Sequence, residues 1–104
     1  MMIFYLRSSK KGIDAKGSYD KSSGLFIVKK GSIVSEVVSH SEKFRGAKTV
    51  EKLREEYVSG NKVKKDVEFK SSSSAANFVT GCSTNGFVAW KDESGKTFKE
   101  CISE

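Results

Sequence analysis

The sequence predicts an α+β domain, in which a small antiparallel sheet of five or six strands carries two short helices on one face. Three observations lead to this fold class. Short runs of β-branched and aromatic residues alternate with Gly, Ser, Asn and Asp turn formers, two segments show helical spacing, and no long helix separates consecutive strands. At 104 residues the chain is predicted to form one domain, 1–104.

Three strands are predicted in the first third of the chain. The run from Met2 to Leu6 is apolar, and the segment from Ile13 to Tyr19 alternates as a half-buried strand does. The continuous apolar run from Leu25 to Val28 follows a turn at 20–24, which predicts an antiparallel hairpin. For residues 33–38 two interpretations stay open, a further short strand or an irregular loop.

A charged segment from Lys48 to Val58 is predicted to be the first helix, with Thr49 or a nearby residue as its cap. Apolar residues recur in it at helical spacing, and Gly60 follows as a stop signal. The next segment, Lys62 to Lys70, is predicted to be one strand. Its alternation places three apolar residues and one lysine on the same face: Val63, Val67, Phe69 and Lys65.

The last third predicts a capped short helix followed by a hairpin. Serines at 71–74 are suited to accept hydrogen bonds from the first helical amides, an apolar face follows, and Gly81 is suited to end the helix. Asn85 and Gly86 then signal a turn before two predicted strands, 87–91 and 96–102, joined around residues 92–95.

The chain is basic, with 19 Lys and Arg against 13 Asp and Glu, a net charge of +6 and a pI near 9.4. A polyanion such as DNA or RNA is a compatible partner. Most of these cations are lysines, which attract phosphate as point charges, whereas arginine reads base edges bidentately. The equally weighted alternative is a lysine surface that only confers solubility.

Two cysteines, Cys82 and Cys101, lack the spacing of a metal site, and no cofactor or metal is expected. We predict no signal peptide and no membrane span, so free thiols in a reducing cytoplasm are expected. His40 stands between two serines without a placed acid, which favours a surface residue. No catalytic residue and no enzymatic activity are predicted.

Two stretches of the chain resemble a known family. The first stretch combines Gly12 to Tyr19 with Leu25 to Ser32, and the second is Phe69 to Lys91. Both resemble the domain of unknown function 4357 family, and the resemblance covers nearly the whole chain. Ser73 stands where that family often has proline, and Phe87 where it often has tryptophan. The last third also resembles the RAMA domain of DNA-modification systems.

The resemblance implies a non-catalytic accessory domain, because such domains are found behind GIY-YIG nuclease domains and in restriction-modification settings. The nuclease motifs themselves are absent from this sequence. The resemblance therefore implies DNA, more than RNA, as the ligand, and a separately encoded nuclease or methyltransferase as a partner. A protein-interaction or structural module with a basic solubilising surface is the alternative.

Each candidate contact has a functional and a structural interpretation. Three lysine pairs, Lys10–Lys11, Lys29–Lys30 and Lys64–Lys65, would contact phosphate or face solvent. The helix start would bind phosphate or satisfy its own amides, and the turn and tryptophan would hold a base or belong to the core. The candidate nucleic-acid contacts are Lys29, Lys30, Lys64, Lys65, Ser73, Ser74, Asn85, Trp90 and Lys91.

Overall fold

The computed structural model describes residues 2–39 and 46–102. Four strands form the main sheet, and every neighbouring pair is antiparallel. In their order across the sheet they are β1 (Met2–Ser8), β2 (Ile13–Asp20), β3 (Leu25–Val28) and β6 (Val67–Phe69). The predicted fold class is confirmed, and so is the predicted antiparallel hairpin, which is formed by β2 and β3.

Two further strands, β4 (Val58–Ser59) and β5 (Lys62–Val63), form a separate ladder that follows helix α1 (Ala47–Tyr57). Residues 60 and 61 both have positive φ and make the tight turn between the two strands. Gly60 therefore turns a hairpin instead of ending the helix, which stops at Tyr57 with Val58 already extended. Thr49 is not the N-cap of this helix; the nearby Gly46 takes that position and makes no side-chain cap bond.

Residues 62–70 were predicted to form one strand, and this prediction is wrong. The strand is interrupted at 64–66, where Asp66 Oδ1 accepts a hydrogen bond from the Lys30 amide at 2.8 Å, and its two parts belong to different sheets. The three apolar residues of this segment are all buried, whereas Lys65, which was predicted on the same face, is exposed: Val63, Val67 and Phe69 form the buried set.

The core lies on one face of the main sheet, beneath helix α2 (Ser72–Thr80) and the aromatic residues that follow it. The predicted caps of α2 are confirmed: Ser71 Oγ accepts from the Ser74 amide at 3.1 Å, and Gly81 is left-handed with φ of 73°. Gly17 lets the aromatic layer approach β2, since a Cβ there would lie 2.4 Å from the Phe26 ring.

The predicted second hairpin is wrong. Residues 86–89 form helix α3 (Gly86–Ala89) and residues 98–102 form helix α4 (Phe98–Ile102), with a single bridge between Lys91 and Thr97. Capping bonds account for both helices: Asn85 Oδ1 accepts from the Phe87 amide, and Thr97 and Glu100 form a reciprocal capping box. The turn at 92–95 is present, with Asp92 Oδ1 accepting from the Ser94 and Lys96 amides.

Residues 33–38, for which two interpretations were open, are mostly irregular. Ile33 alone forms isolated bridges, to Asp14 in β2 and to Lys62 in β5. This residue therefore connects the small β4–β5 ladder to the main sheet, and it sets the position of the lysines described next. His40 lies outside the described residues.

Candidate nucleic-acid interface

Three lysines line one groove between the main sheet and the small ladder. The groove has a volume of about 490 Å³, and the lysines are Lys30, Lys62 and Lys64. Its other lining residues in the described part of the chain are Gly31, Ser59 and Val63, so no acidic side chain lines it. Lysines from two distant segments of the sequence thus share one concave, cationic surface.

Backbone pairing brings the two segments together. The Gly31 amide donates to the Val63 carbonyl and the Val63 amide donates to the Ser32 carbonyl, both at 2.9 Å. Gly31 has a φ of 93°, a conformation that glycine adopts without strain, and it turns the chain from β3 toward β5. The groove is therefore fixed by main-chain geometry, whereas its lysine ammonium groups remain at the exposed surface.

In the pairs Lys29–Lys30 and Lys64–Lys65, the lysine that does not line the groove has another partner. Lys29 Nζ lies 3.0 Å from Asp66 Oδ2, and Lys65 Nζ lies 4.8 Å from the centroid of the Tyr57 ring. The hydrogen bonds from the Lys30 amide and the Lys29 ammonium hold the pKa of Asp66 below its usual value. The structure thus brings Lys30 and Lys64 together and does not bring Lys29 and Lys65 with them.

The serine-rich start of α2 is used internally. Ser73 Oγ accepts from the Gly86 amide at 3.0 Å, and Ser71 Oγ donates to Ser74 Oγ at 2.9 Å. Gly86 packs directly on the helix backbone, because a Cβ there would lie 2.4 Å from the Ser73 nitrogen. Gly86 thus packs against the Ser73 amide and Ser71 Oγ accepts from the Ser74 amide, so the capping interpretation of this segment is favoured.

The Asn85–Lys91 region contains a core residue, Trp90, and an exposed lysine, Lys91. Trp90 has no exposed surface, its Nε1 donates to the Ser72 carbonyl at 3.0 Å, and its ring centroid lies 4.6 Å from that of Phe26. A fully buried indole has no free face for a base, so Trp90 belongs to the core. Lys91 is exposed, and its backbone pairs with Tyr5 of β1.

Lys62 is the groove residue that the sequence analysis did not single out. A signal for it was present: Lys62 and Lys64 are two residues apart, and alternate residues of an extended segment point the same way. The convergence with Lys30 had no such local signal, because it depends on the Ile33 bridges and on the pairing of residues 31 and 32 with Val63.

Both cysteines are free thiols. Burial raises the pKa of the Cys82 thiol, but hydrogen bonds with Thr80 and Thr84 and the charge of Lys11 outweigh it, so the pKa lies below its usual value. Within residues 2–39 and 46–102 no group of three or more His, Cys, Asp or Glu side chains is arranged to hold a metal ion. Nor does this part of the chain contain a helix long and apolar enough to cross a bilayer.

Comparison with known proteins gives one match. No curated protein and no solved structure matches the chain. The family described as Domain of unknown function (DUF4357) matches residues 4–102, which include every strand and helix except the first residues of β1. The chain therefore belongs to the DUF4357 family.

Proposed function

We propose that this chain is a non-catalytic accessory domain that binds nucleic acid, DNA in preference to RNA, through the groove of Lys30, Lys62 and Lys64. The observation that carries the proposal is the convergence of three lysines in a groove whose described lining contains no acid. Like-charged side chains repel one another when they are brought together, and a polyanion relieves that repulsion.

The chemistry of the groove favours phosphate over bases. A lysine ammonium is a compact charge that neutralises phosphate and releases counterions, whereas it lacks the planar fork that reads a guanine edge. Three phosphate contacts on a duplex correspond to a slope of about −3 in a plot of log affinity against log salt. We therefore expect salt-dependent binding with little sequence preference.

The proposed setting comes from the family resemblance. Domains of this kind are found behind GIY-YIG nucleases and in restriction-modification systems, and the groove would hold DNA for such a partner. On this proposal the chain supplies affinity, and a separately encoded nuclease or methyltransferase supplies the chemistry. No residue of this chain is assigned a catalytic role.

The proposal is tested by fluorescence anisotropy with labelled duplex DNA and RNA at several salt concentrations. Lys30→Glu with Lys64→Glu should weaken binding at low salt by about tenfold or more and flatten the salt slope. The matched control is Lys21→Glu with Lys70→Glu, which makes the same charge change at the far end of the sheet, beside the β2–β3 turn. Equal affinity in the two double variants would contradict the proposal.

One observation favours the alternative of a protein-interaction module. Phe87 and Val88 on α3 are 44% and 49% exposed, and they are adjacent apolar side chains on the surface. Replacing both by serine should abolish association with a protein partner and leave DNA affinity unchanged. Concentration-dependent self-association without DNA, lost in this variant, would make the interaction module the better account.

A further inference from the structure

The outer face of the main sheet, opposite the core, continues from the lysine groove. Strand pairing sets Tyr5 opposite Lys16 on this face, with Arg7 opposite Asp14 in the next row. The Arg7 and Asp14 side chains are 64% and 69% exposed, whereas Tyr5 is half-buried and its hydroxyl donates to Glu93 Oε1 at 3.5 Å. Helix α2 and the aromatic core lie on the other side of the sheet.

Arg7 lies over the ring of Tyr5, with its guanidinium carbon 4.4 Å from the ring centroid. Asp14 Oδ1 accepts a hydrogen bond from Arg7 Nε at 3.1 Å and so holds the guanidinium in place. The result is a cation–π contact on the surface of β1. Aromatic rings and arginine guanidinium planes are the groups on which proteins stack unpaired bases.

This contact adjoins the groove through Lys30. A cleft of about 280 Å³ is lined by Tyr5, Arg7, Asp14 and Lys16 together with residues 30–33, so Lys30 lines both the cleft and the groove. The residues that line the cleft and the groove include five cations and one acid: Arg7, Lys16, Lys30, Lys62 and Lys64, with Asp14. A second acid, Glu93, lies at the Tyr5 hydroxyl. The Tyr5–Arg7 platform thus lies beside a phosphate-attracting strip.

We propose that this surface binds single-stranded nucleic acid, with the strand's phosphates in the lysine groove and one base stacked on the Tyr5–Arg7 pair. The inference rests on the proposed function and adds the form of the ligand. A duplex offers phosphates to the lysines, but its base faces are already stacked on one another. Only an unpaired strand can use the cations and the platform together.

Anisotropy with a short mixed-sequence single strand and its duplex tests the proposal. Tyr5→Leu should weaken single-strand binding about fivefold or more and leave duplex binding unchanged, because one stacking contact is lost. Tyr5→Phe, which keeps the ring, should bind as the original chain does. Arg7→Lys, which keeps the charge and removes the plane, should weaken single-strand binding alone.

The two proposals fail in different ways. If Tyr5→Leu and Arg7→Lys bind the single strand normally while Lys30→Glu with Lys64→Glu does not, the stacking platform is wrong and the groove stands. If no variant changes any affinity, both proposals are wrong. Circular dichroism of every variant verifies that the fold is kept.

A crosslinking experiment on the original chain tests the platform without any variant. A single strand carrying bromouracil is irradiated with the protein, and the adduct is mapped after trypsin digestion. The proposal predicts the adduct on the peptide that ends at Arg7 and contains Tyr5. An adduct confined to the peptide containing Phe87 and Val88 would overturn it.

Discussion

The segment from Ser71 to Lys91 is recognisable in the sequence, whereas only Lys30 and Lys64 of the lysine groove are predicted contacts, and the structure uses the two regions in opposite ways. The first is dense in recognisable features, and most of its polar groups bind each other: Ser73 with Gly86, Asn85 with Phe87, Trp90 with Ser72. The second has no motif, and its lysines stay at the surface. A conspicuous local pattern here builds the core, while the candidate site comes from the meeting of distant segments.

The largest effect expected is in the first region. Trp90→Ala should lower the free energy of unfolding by about 3 to 5 kcal/mol, because it empties a fully buried site and leaves the Ser72 carbonyl without its donor. Urea denaturation measures the change, and Trp90→Phe, which keeps much of the volume, should lose less. A Trp90→Ala variant that stays stable but no longer binds nucleic acid would show that Trp90 is a contact residue and not a core residue.

The next effect concerns how the first region is held to helix α1. Arg54 is half-buried, which lowers its pKa, and it donates to the carbonyls of Ser35, Phe78 and Val79, the last two near the end of α2. Arg54→Lys cannot reproduce that fork and should lower the free energy of unfolding by about 2 to 3 kcal/mol. Thermal melting measures this, with Lys52→Arg on the same helix as control. If Arg54→Lys melted at the same temperature as the original chain, the three carbonyls would have found other donors.

These expectations also indicate what sequence can supply. The strands of the first hairpin, both caps of α2 and the burial of the apolar residues in 63–69 follow from local periodicity and capping chemistry, and they were predicted. Helix α4 was missed although Thr97 and Glu100 carry a capping-box spacing, because the apolar residues around it equally suited a strand. The groove could not be predicted, since it depends on the non-local Gly31–Val63 pairing.

A smaller effect is expected where the groove meets the main sheet. The pKa of Asp66 is lowered by the Lys30 amide and the Lys29 ammonium, so its stabilising contribution is present above the unfolded pKa of about 3.9 and is lost as pH falls through the lower folded value. Because the side chain is 47% exposed, the contribution is about 0.5 to 1 kcal/mol after solvent screening. Asp66→Asn should show that loss at neutral pH.

The control for Asp66→Asn is the same measurement under acid conditions. There the two proteins should converge in stability, because both carry a neutral side chain at residue 66. A stability difference that does not change with pH would mean that the Asp66 charge is not the source of the effect.

The smallest effect separates the two members of one lysine pair. Lys29→Ala should lower the free energy of unfolding by about 0.5 kcal/mol, because it removes the ion pair with Asp66. Lys30→Ala should leave stability unchanged and weaken DNA binding. Melting and anisotropy measurements on both variants test this difference. If Lys29→Ala weakens DNA binding and Lys30→Ala does not, Lys29 and not Lys30 lies at the interface.

The most direct test of the central comparison is an amide chemical-shift titration of the nitrogen-labelled full chain with a short DNA. The account predicts that the largest shifts occur at Lys30, Gly31, Lys62 and Lys64, with a linear weakening of binding against log salt. Ser73, Ser74 and Asn85 should change little. Shifts centred on those three residues, with the groove amides unmoved, would contradict the account.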